Sequence, residues 1–208
     1  MEDVLEVYAR PIDPLRPLVC LDECSKQLVR ETRVPEPAKP GQPARFDFEY
    51  ERNGVAAIFC VVAPHLGWRH IEERARKTRV DYAQVLRTLA DEHYPHAERI
   101  VLVQDNLNTH SPASLYEAFP PAEARRLIER FEFHFTPKHG SWLNIAELEL
   151  SALSRGCLDR RIPDRPTLAK ELQHWTASRN NRFKPVNWHF TSGEARVKLT
   201  KLYPSILA

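Results

Sequence analysis

The stretch FHFTPKHGSWLNIAELEL, residues 133–150, decides the fold because a strand gives way to a helix within it. Its phenylalanines alternate with other residues, which is typical of a half-buried strand. Asn144, followed three residues later by Glu147, matches a capping box in its asparagine form, so we expect a helix to begin here. The helix carries a second glutamate, Glu149. The two glutamates flank its apolar stripe on opposite sides, so helical geometry leaves open which of them faces a site.

Runs of apolar or alternating residues predict five strands, and apolar residues at helical spacing predict helices between them. Asn53-Gly54 is the commonest hairpin signal and is expected to join two of these strands. Asp81 is a candidate N-cap for the helix that follows the arginine-rich segment 69–79. The element order indicates a mixed α/β fold with a parallel crossover. The predicted strands are 18–21, 46–51, 55–62, 99–106 and 131–137, and helices are predicted at 82–93, 123–130 and 167–179.

Composition places the chain among globular proteins, with 42% apolar and 28% charged residues. No apolar run approaches the roughly 18 residues of a membrane span, and the N-terminus lacks the order of a signal peptide, so we expect a cytoplasmic protein. The four cysteines form no CxxC pair, which argues against a zinc site or a disulfide framework. Residues 151–208 hold 11 Lys/Arg against 4 Asp/Glu, and this excess of +7 is a mild indication of a polyanionic partner.

Two acids, Asp22 and Asp105, directly follow apolar predicted strands. Side chains at the carboxyl ends of neighbouring strands converge on one edge of a sheet, where sites assemble. Two carboxylates so close together repel each other and are tolerated chiefly with a cation between them. Magnesium suits such oxygen ligands, and a third acid, Glu147 or Glu149, would complete a two-metal site. The alternative is that each Asp is an ordinary turn residue.

Three sequence blocks resemble the transposases of the insertion sequence 630 group within the mariner superfamily. They are CLDECSKQL around Asp22, VLVQDNLNTHSPASL around Asp105, and HFTPKHGSWLNIAELELSAL around Glu147, in the same order as in the family. The resemblance implies a ribonuclease-H-like fold, with a mixed five-stranded sheet flanked by helices.

The resemblance also implies a catalytic Asp-Asp-Glu triad of Asp22, Asp105 and Glu147. These acids would bind two Mg²⁺ or Mn²⁺ ions for phosphoryl transfer on DNA. Glu149 is the alternative third acid. For two histidines, His110 and His139, a partly exposed loop position is an equally good interpretation. The side chains implied to surround the ligands or to contact DNA are Glu23, Asn106, Asn108, His110, Lys138, His139 and Trp142.

Members of this family excise their elements and insert them into TA targets, usually as homodimers, and the resemblance implies the same for this chain. It also implies a bacterial, nucleoid-associated enzyme. They carry helix-turn-helix modules before the catalytic domain, whereas only 21 residues precede Asp22 here. We therefore expect a separate helix-turn-helix portion or a truncated product. There are two alternatives to a catalytic transposase. The chain could be a fragment that binds DNA or dimerises without catalysis and so inhibits a full-length transposase, or it could be a host ribonuclease-H-like nuclease. The expected segments are 1–17 as a lead-in, 18–160 as the catalytic domain, and 161–208 as a basic helical extension packed on that domain.

Overall fold

The computed structural model describes residues 1–45, 47–182 and 184–203, and a five-stranded sheet organises them. The strands are β1 (Leu18–Glu31), β2 (Tyr50–Ala63), β3 (Trp68–Arg74), β4 (Ile100–Gln104) and β5 (Phe131–Phe135). They lie in the order β3-β2-β1-β4-β5. Strand β2 is antiparallel to β1 and β3, whereas β4 is parallel to β1 and β5. The predicted mixed α/β sheet of five strands, with its parallel crossover, is confirmed.

Helices cover both faces of the sheet because strands β1, β2 and β4 alternate their apolar side chains between two cores. In β1, Cys20 faces one core, and Val19 and Leu21 face the other. The first core contains residues of α1 (Glu2–Tyr8), α5 (Ile145–Leu153), α6 (Arg165–Asn181) and α7 (Ser192–Lys198), and the second contains residues of α2 (Arg79–Thr88), α3 (Ala113–Ala118) and α4 (Pro121–Glu129).

None of the helices in the described ranges combines the length and apolar character that a membrane crossing requires.

The first strand extends beyond its apolar run, so the prediction that it ends at Leu21 is wrong. Asp22 lies inside β1 and pairs with Cys60 of β2. The long antiparallel partner supplies backbone hydrogen bonds to the polar residues that follow, and this overrides the composition signal. Asp105, by contrast, directly follows β4 as predicted.

The Asn53-Gly54 pair is not a hairpin turn, because β2 runs straight through it. Residue 46 of the predicted strand 46–51 lies outside the described residues, and Phe48 is exposed outside any strand. Gly54 adopts a positive φ of 87° at a register shift between β1 and β2. Such a shift is a β-bulge, in which glycine is favoured for the same conformational reason as in a turn.

The sequence patterns do not indicate one strand of the sheet, and the predicted N-cap of the helix after it is wrong. The arginine-rich segment contains edge strand β3, in which Arg69 and Ile71 are buried and their neighbours are half-buried. The helix after it is capped by Thr78, with Asp81 at the third helical position closing a reciprocal capping box. Charge density hid the strand because long arginine stems can cover apolar surface while their charged ends are paired.

Candidate active site

The first two predicted acids come level at one end of the parallel strand pair. Cys20 of β1 is in register with Val103 of β4, so two residues further along each chain bring Asp22 opposite Asp105. Asp22 follows Cys20 by two positions and therefore lies on the same face of the sheet, towards α5. The strand pairing thus accounts for the proximity of these two acids.

A buried asparagine ties Asp22 to the start of α5. Asn144 Nδ2 donates to the Leu21 carbonyl oxygen at 2.9 Å and to Asp22 Oδ2 at 3.3 Å. The Oδ1 atom of the same side chain accepts from the Ala146 backbone N–H and caps α5. One residue therefore fixes both the acid on β1 and the N-terminus of the helix that carries Glu147.

The Asp22 carboxyl holds its proton unusually tightly, with its pKa raised from 3.8 to about 7. Burial is the main cause, and the negative charges of Asp105, Glu23 and Glu147 raise the pKa further. The hydrogen bond from the Glu23 backbone N–H, 2.8 Å long, works in the opposite direction. Like charges with this effect are expected where several acids share one small region.

Glu147 lies in the first turn of α5, where the helix dipole favours an ionised carboxylate. Its Oε2 atom is buried, and no hydrogen-bond partner for it exists among the described residues. The capping box predicted from the Asn-x-x-Glu pattern is wrong, because the Asn144 side chain caps the helix at the Ala146 N–H and not at the Glu147 N–H, and the described residues show no reciprocal bond from Glu147. A buried acceptor without a partner is costly, and a bound cation would satisfy it.

Glu149, the alternative third acid, is already occupied by arginines. Its carboxylate accepts from Arg179 at 2.9 and 2.8 Å in a bidentate pair, and Arg69 Nε lies 3.4 Å away. Both the Glu149 and Arg69 side chains are almost completely buried. The network joins α5 to α6 and β3, so Glu149 is engaged in packing the helices rather than turned to solvent.

Asp105 is held by a histidine that also contacts a second acid. His110 Nδ1 donates to Asp105 Oδ1 at 2.5 Å, and His110 Nε2 lies 2.8 Å from Glu23 Oε2. Burial lowers the pKa of His110, but the two carboxylates outweigh it and raise that pKa to about 9. The same hydrogen bond lowers the pKa of Asp105. Asp105 is therefore ionised in the range where Asp22 titrates.

The donor set suits a hard divalent cation, although the side chains do not form a closed metal cage. Within the described ranges, no group of three or more His, Cys, Asp or Glu side chains lies close enough together to hold a metal ion. The three acids nevertheless offer only oxygen atoms, and one of those atoms, Glu147 Oε2, is buried and finds no hydrogen-bond partner in the described part of the chain. Oxygen ligands with an unsatisfied carboxylate fit Mg²⁺ or Mn²⁺.

An open groove of about 400 Å³ lies beside Asp105. His139, at its rim, has a φ of 61°, a left-handed conformation that is unusual for a residue with a side chain. Asn108 is exposed and does not line the groove. Trp142 is 38% exposed and packs against Trp188 and Phe190. The groove is lined by Asp105, Asn106, Leu107, Thr136, Pro137, Lys138, His139, Gly140 and Ser141.

The basic C-terminal third is less available than its composition suggests. Several of its arginines are paired with acids of the sheet or of neighbouring helices, which neutralises much of the excess charge. Sequence reasoning could not find these partners, because each lies far away along the chain. The pairs are Arg160 with Glu171, Arg161 with Glu31, Arg165 with Glu73, and Arg179 with Glu149.

Comparisons with known proteins identify the family and the fold of this chain. A family model described as DDE superfamily endonuclease matches residues 17–169. The Mos1 strand transfer complex is similar in structure, with a TM-score of 0.57 and 19% identity over 86% of this chain and 52% of that one. The Mos1 mariner paired end complex with Mn gives a TM-score of 0.55 and 19% identity, over 84% of this chain and 52% of that one. The chain thus spans about half the length of these transposase chains.

The catalytic domain of Mos1 mariner transposase, taken alone, gives a TM-score of 0.53 and 16% identity over 84% of this chain and 76% of that domain. At such identities the likeness shows a shared fold, which is the expected one. The comparison with curated proteins gives no significant match. The family model covers most of the sequence and includes all three acids. The chain belongs to the DDE superfamily endonucleases.

Proposed function

We propose that this chain is the catalytic part of a DNA transposase, with Asp22, Asp105 and Glu147 as its catalytic acids. The observation that carries the proposal is geometric: the β1–β4 register places Asp22 opposite Asp105, and Asn144 bonds both to Asp22 and to the first turn of α5, which carries Glu147. The charges of Asp105 and Glu147 also raise the pKa of Asp22, which supports this arrangement. The unpartnered oxygen of Glu147 supports an ion-binding role for the group.

Bound Mg²⁺ or Mn²⁺ would activate a water or a DNA 3′-hydroxyl and stabilise the leaving oxygen, and we propose two ions per site. The protein's own contribution is to orient the ligands. Asn144 holds Asp22, His110 holds Asp105, and the first turn of α5 carries Glu147.

We further propose DNA as the substrate, both as transposon ends and as a TA target. The groove beside Asp105 offers Lys138 and His139 to a phosphate, with Asn106 and Ser141 as hydrogen-bonding partners. We propose that the chain acts as a homodimer together with a separate helix-turn-helix portion. Its location would be the bacterial cytoplasm, near the nucleoid. These proposals follow from membership of the insertion sequence 630 group, to which we assign the chain from its three sequence blocks.

We also propose that residues 18–160 form the catalytic domain. Residues 1–17 would be its lead-in, and 161–208 a helical extension. Contacts of α6 with β3 and of α7 with α1 support packing of the extension on the same domain.

A DNA nicking assay tests the function. The protein is incubated with supercoiled plasmid and Mg²⁺ or Mn²⁺. Asp105→Asn should lower the rate by more than about 100-fold, since loss of a ligand should exceed the effect of losing one of its supporting partners. Asp159→Asn is a matched control, because Asp159 is exposed and lies outside the site.

Two outcomes would contradict the proposal. If the Asp105→Asn variant nicked DNA at the same rate as an active wild type, the acids would have no catalytic role. Cleavage of an RNA–DNA hybrid, with no action on duplex DNA, would favour a ribonuclease of the same fold.

A further inference from the structure

A buried side-chain bridge connects the two sheet strands that carry the first two acids. Glu23 of β1 and Asp105 after β4 both contact the ring of His110, at 2.8 Å from Nε2 and 2.5 Å from Nδ1. The protonated ring carries an N–H at both nitrogens, so it donates from Nδ1 to Asp105 and makes a close ion-pair contact through Nε2 with Glu23. The bridge continues the link between β1 and β4 past Cys20 and Val103, where their backbone pairing ends.

The bridge is buried at Glu23 and His110 and exposed to solvent at Asp105. The side chain of His110 has no exposed surface and that of Glu23 is 3% exposed, whereas that of Asp105 is 41% exposed. Among the described residues, both hydrogen bonds to Asp105 end on Oδ1, from His110 and from the Leu107 backbone N–H. Oδ2 is therefore left for a ligand from solvent.

The histidine itself is held on several sides. Its ring packs against the Tyr82 ring at 4.8 Å between centroids. Gln104 Nε2 donates to the His110 carbonyl oxygen at 3.0 Å, and Tyr82 donates its hydroxyl to Gln104 Oε1 at 2.8 Å. A chain of satisfied polar contacts of this kind fixes the orientation of the ring inside the core.

We propose that Glu23 and His110 are positioning residues that orient the Asp105 carboxylate for metal binding and DNA cleavage. The inference rests on the function proposed above. A purely structural ion pair would need only to hold the core together. The bridge instead ends on an exposed carboxylate opposite Asp22, the arrangement by which outer partners orient ligands.

Two variants separate the halves of the bridge. In His110→Asn, the amide nitrogen occupies the place of Nδ1 and keeps the bond to Asp105 but loses Glu23. In His110→Gln, the amide nitrogen occupies the place of Nε2 and keeps Glu23 but loses Asp105. Glu23→Gln preserves the size of the anchor and removes its charge, and serves as a second probe if a His110 variant does not fold. All three are made in the full chain, and their melting temperatures are compared first.

The measurements are kcat for DNA nicking, the Kd for duplex DNA, and the Mn²⁺ affinity by calorimetry without DNA. His110→Gln should lower both kcat and the Mn²⁺ affinity by about 10- to 100-fold with an unchanged Kd for DNA. His110→Asn and Glu23→Gln should lose less than His110→Gln at a similar melting temperature. A positioning role predicts that kcat and the Mn²⁺ affinity fall most in His110→Gln. A merely structural role predicts that both fall in proportion to the melting temperature.

Equal kcat and Mn²⁺ affinity for His110→Asn and His110→Gln, or a loss confined to the melting temperature, would overturn the positioning role while leaving the proposed function intact. A wild-type chain that neither binds Mn²⁺ nor nicks DNA would overturn the proposed function, and the positioning role with it.

Discussion

Replacing Asp22 with asparagine should stabilise the metal-free protein at alkaline pH. The pKa of Asp22 is raised in the folded state from 3.8 to about 7, so the folded protein holds a proton that the unfolded chain has released. The wild type therefore loses stability as pH rises from about 4 to about 7, and the loss is complete above that range. One pKa unit corresponds to about 1.4 kcal/mol, which sets a ceiling of about 4 kcal/mol.

Partial access of solvent to Asp22 reduces this ceiling, and we expect Asp22→Asn to gain about 1–3 kcal/mol in the free energy of unfolding at pH 8. The assay is urea denaturation of both proteins in a chelating buffer at pH 4 and pH 8. The gain should shrink to about 0.5 kcal/mol at pH 4, where the folded carboxyl is protonated and the unfolded one is about half protonated. Added Mg²⁺ should stabilise the wild type more than the variant. Equal gains at the two pH values, or a destabilised variant at pH 8, would refute the electrostatic reasoning.

Three other changes test separate parts of the structure. Glu149→Gln should destabilise the protein by about 3 kcal/mol in urea denaturation, because it leaves the buried Arg69 guanidinium beside an uncharged partner; a change below about 0.5 kcal/mol would contradict the buried pair. Gly67→Ala should lower the melting temperature, since Gly67 has a φ of 57° and a new Cβ would lie 2.8 Å from the Lys184 backbone, and a cost of about 1–3 kcal/mol is expected. Trp142→Ala should weaken binding of single-stranded DNA about 5- to 100-fold if a base stacks there, whereas Trp142→Phe should retain most of the affinity in a fluorescence titration.

Local sequence signals located some acids and missed the surroundings of others. Asp105 follows β4, as its apolar run predicted. Asp22 follows an equally apolar run yet lies inside a strand, because its pairing partner in β2 is remote in sequence. Helical periodicity could not separate Glu147 from Glu149. The structure distinguishes their surroundings through Arg179, 30 residues beyond Glu149, and no local pattern encodes that contact.

The strand β3 and the Asn53-Gly54 bulge show the same limit. Arg69 is buried because Glu149 pairs with its charge and Asn180 accepts a hydrogen bond from its backbone N–H. Both partners lie on other elements of the fold. Glycine preceded by asparagine favours a left-handed backbone in both a turn and a bulge, so the pair predicts the conformation of Gly54 but not its place in the chain. Local conformation was therefore more predictable than pairing.

The dual attachment of Asn144 has a consequence for biogenesis. It joins a strand near the beginning of the chain to a helix 122 residues later, and the ends of so long a segment must meet before the acids are assembled. A half-synthesised chain on the ribosome carries Asp22 without Glu147. Under the proposed function, the set of acids would stay incomplete until translation has passed Glu147 and α5 has packed against β1.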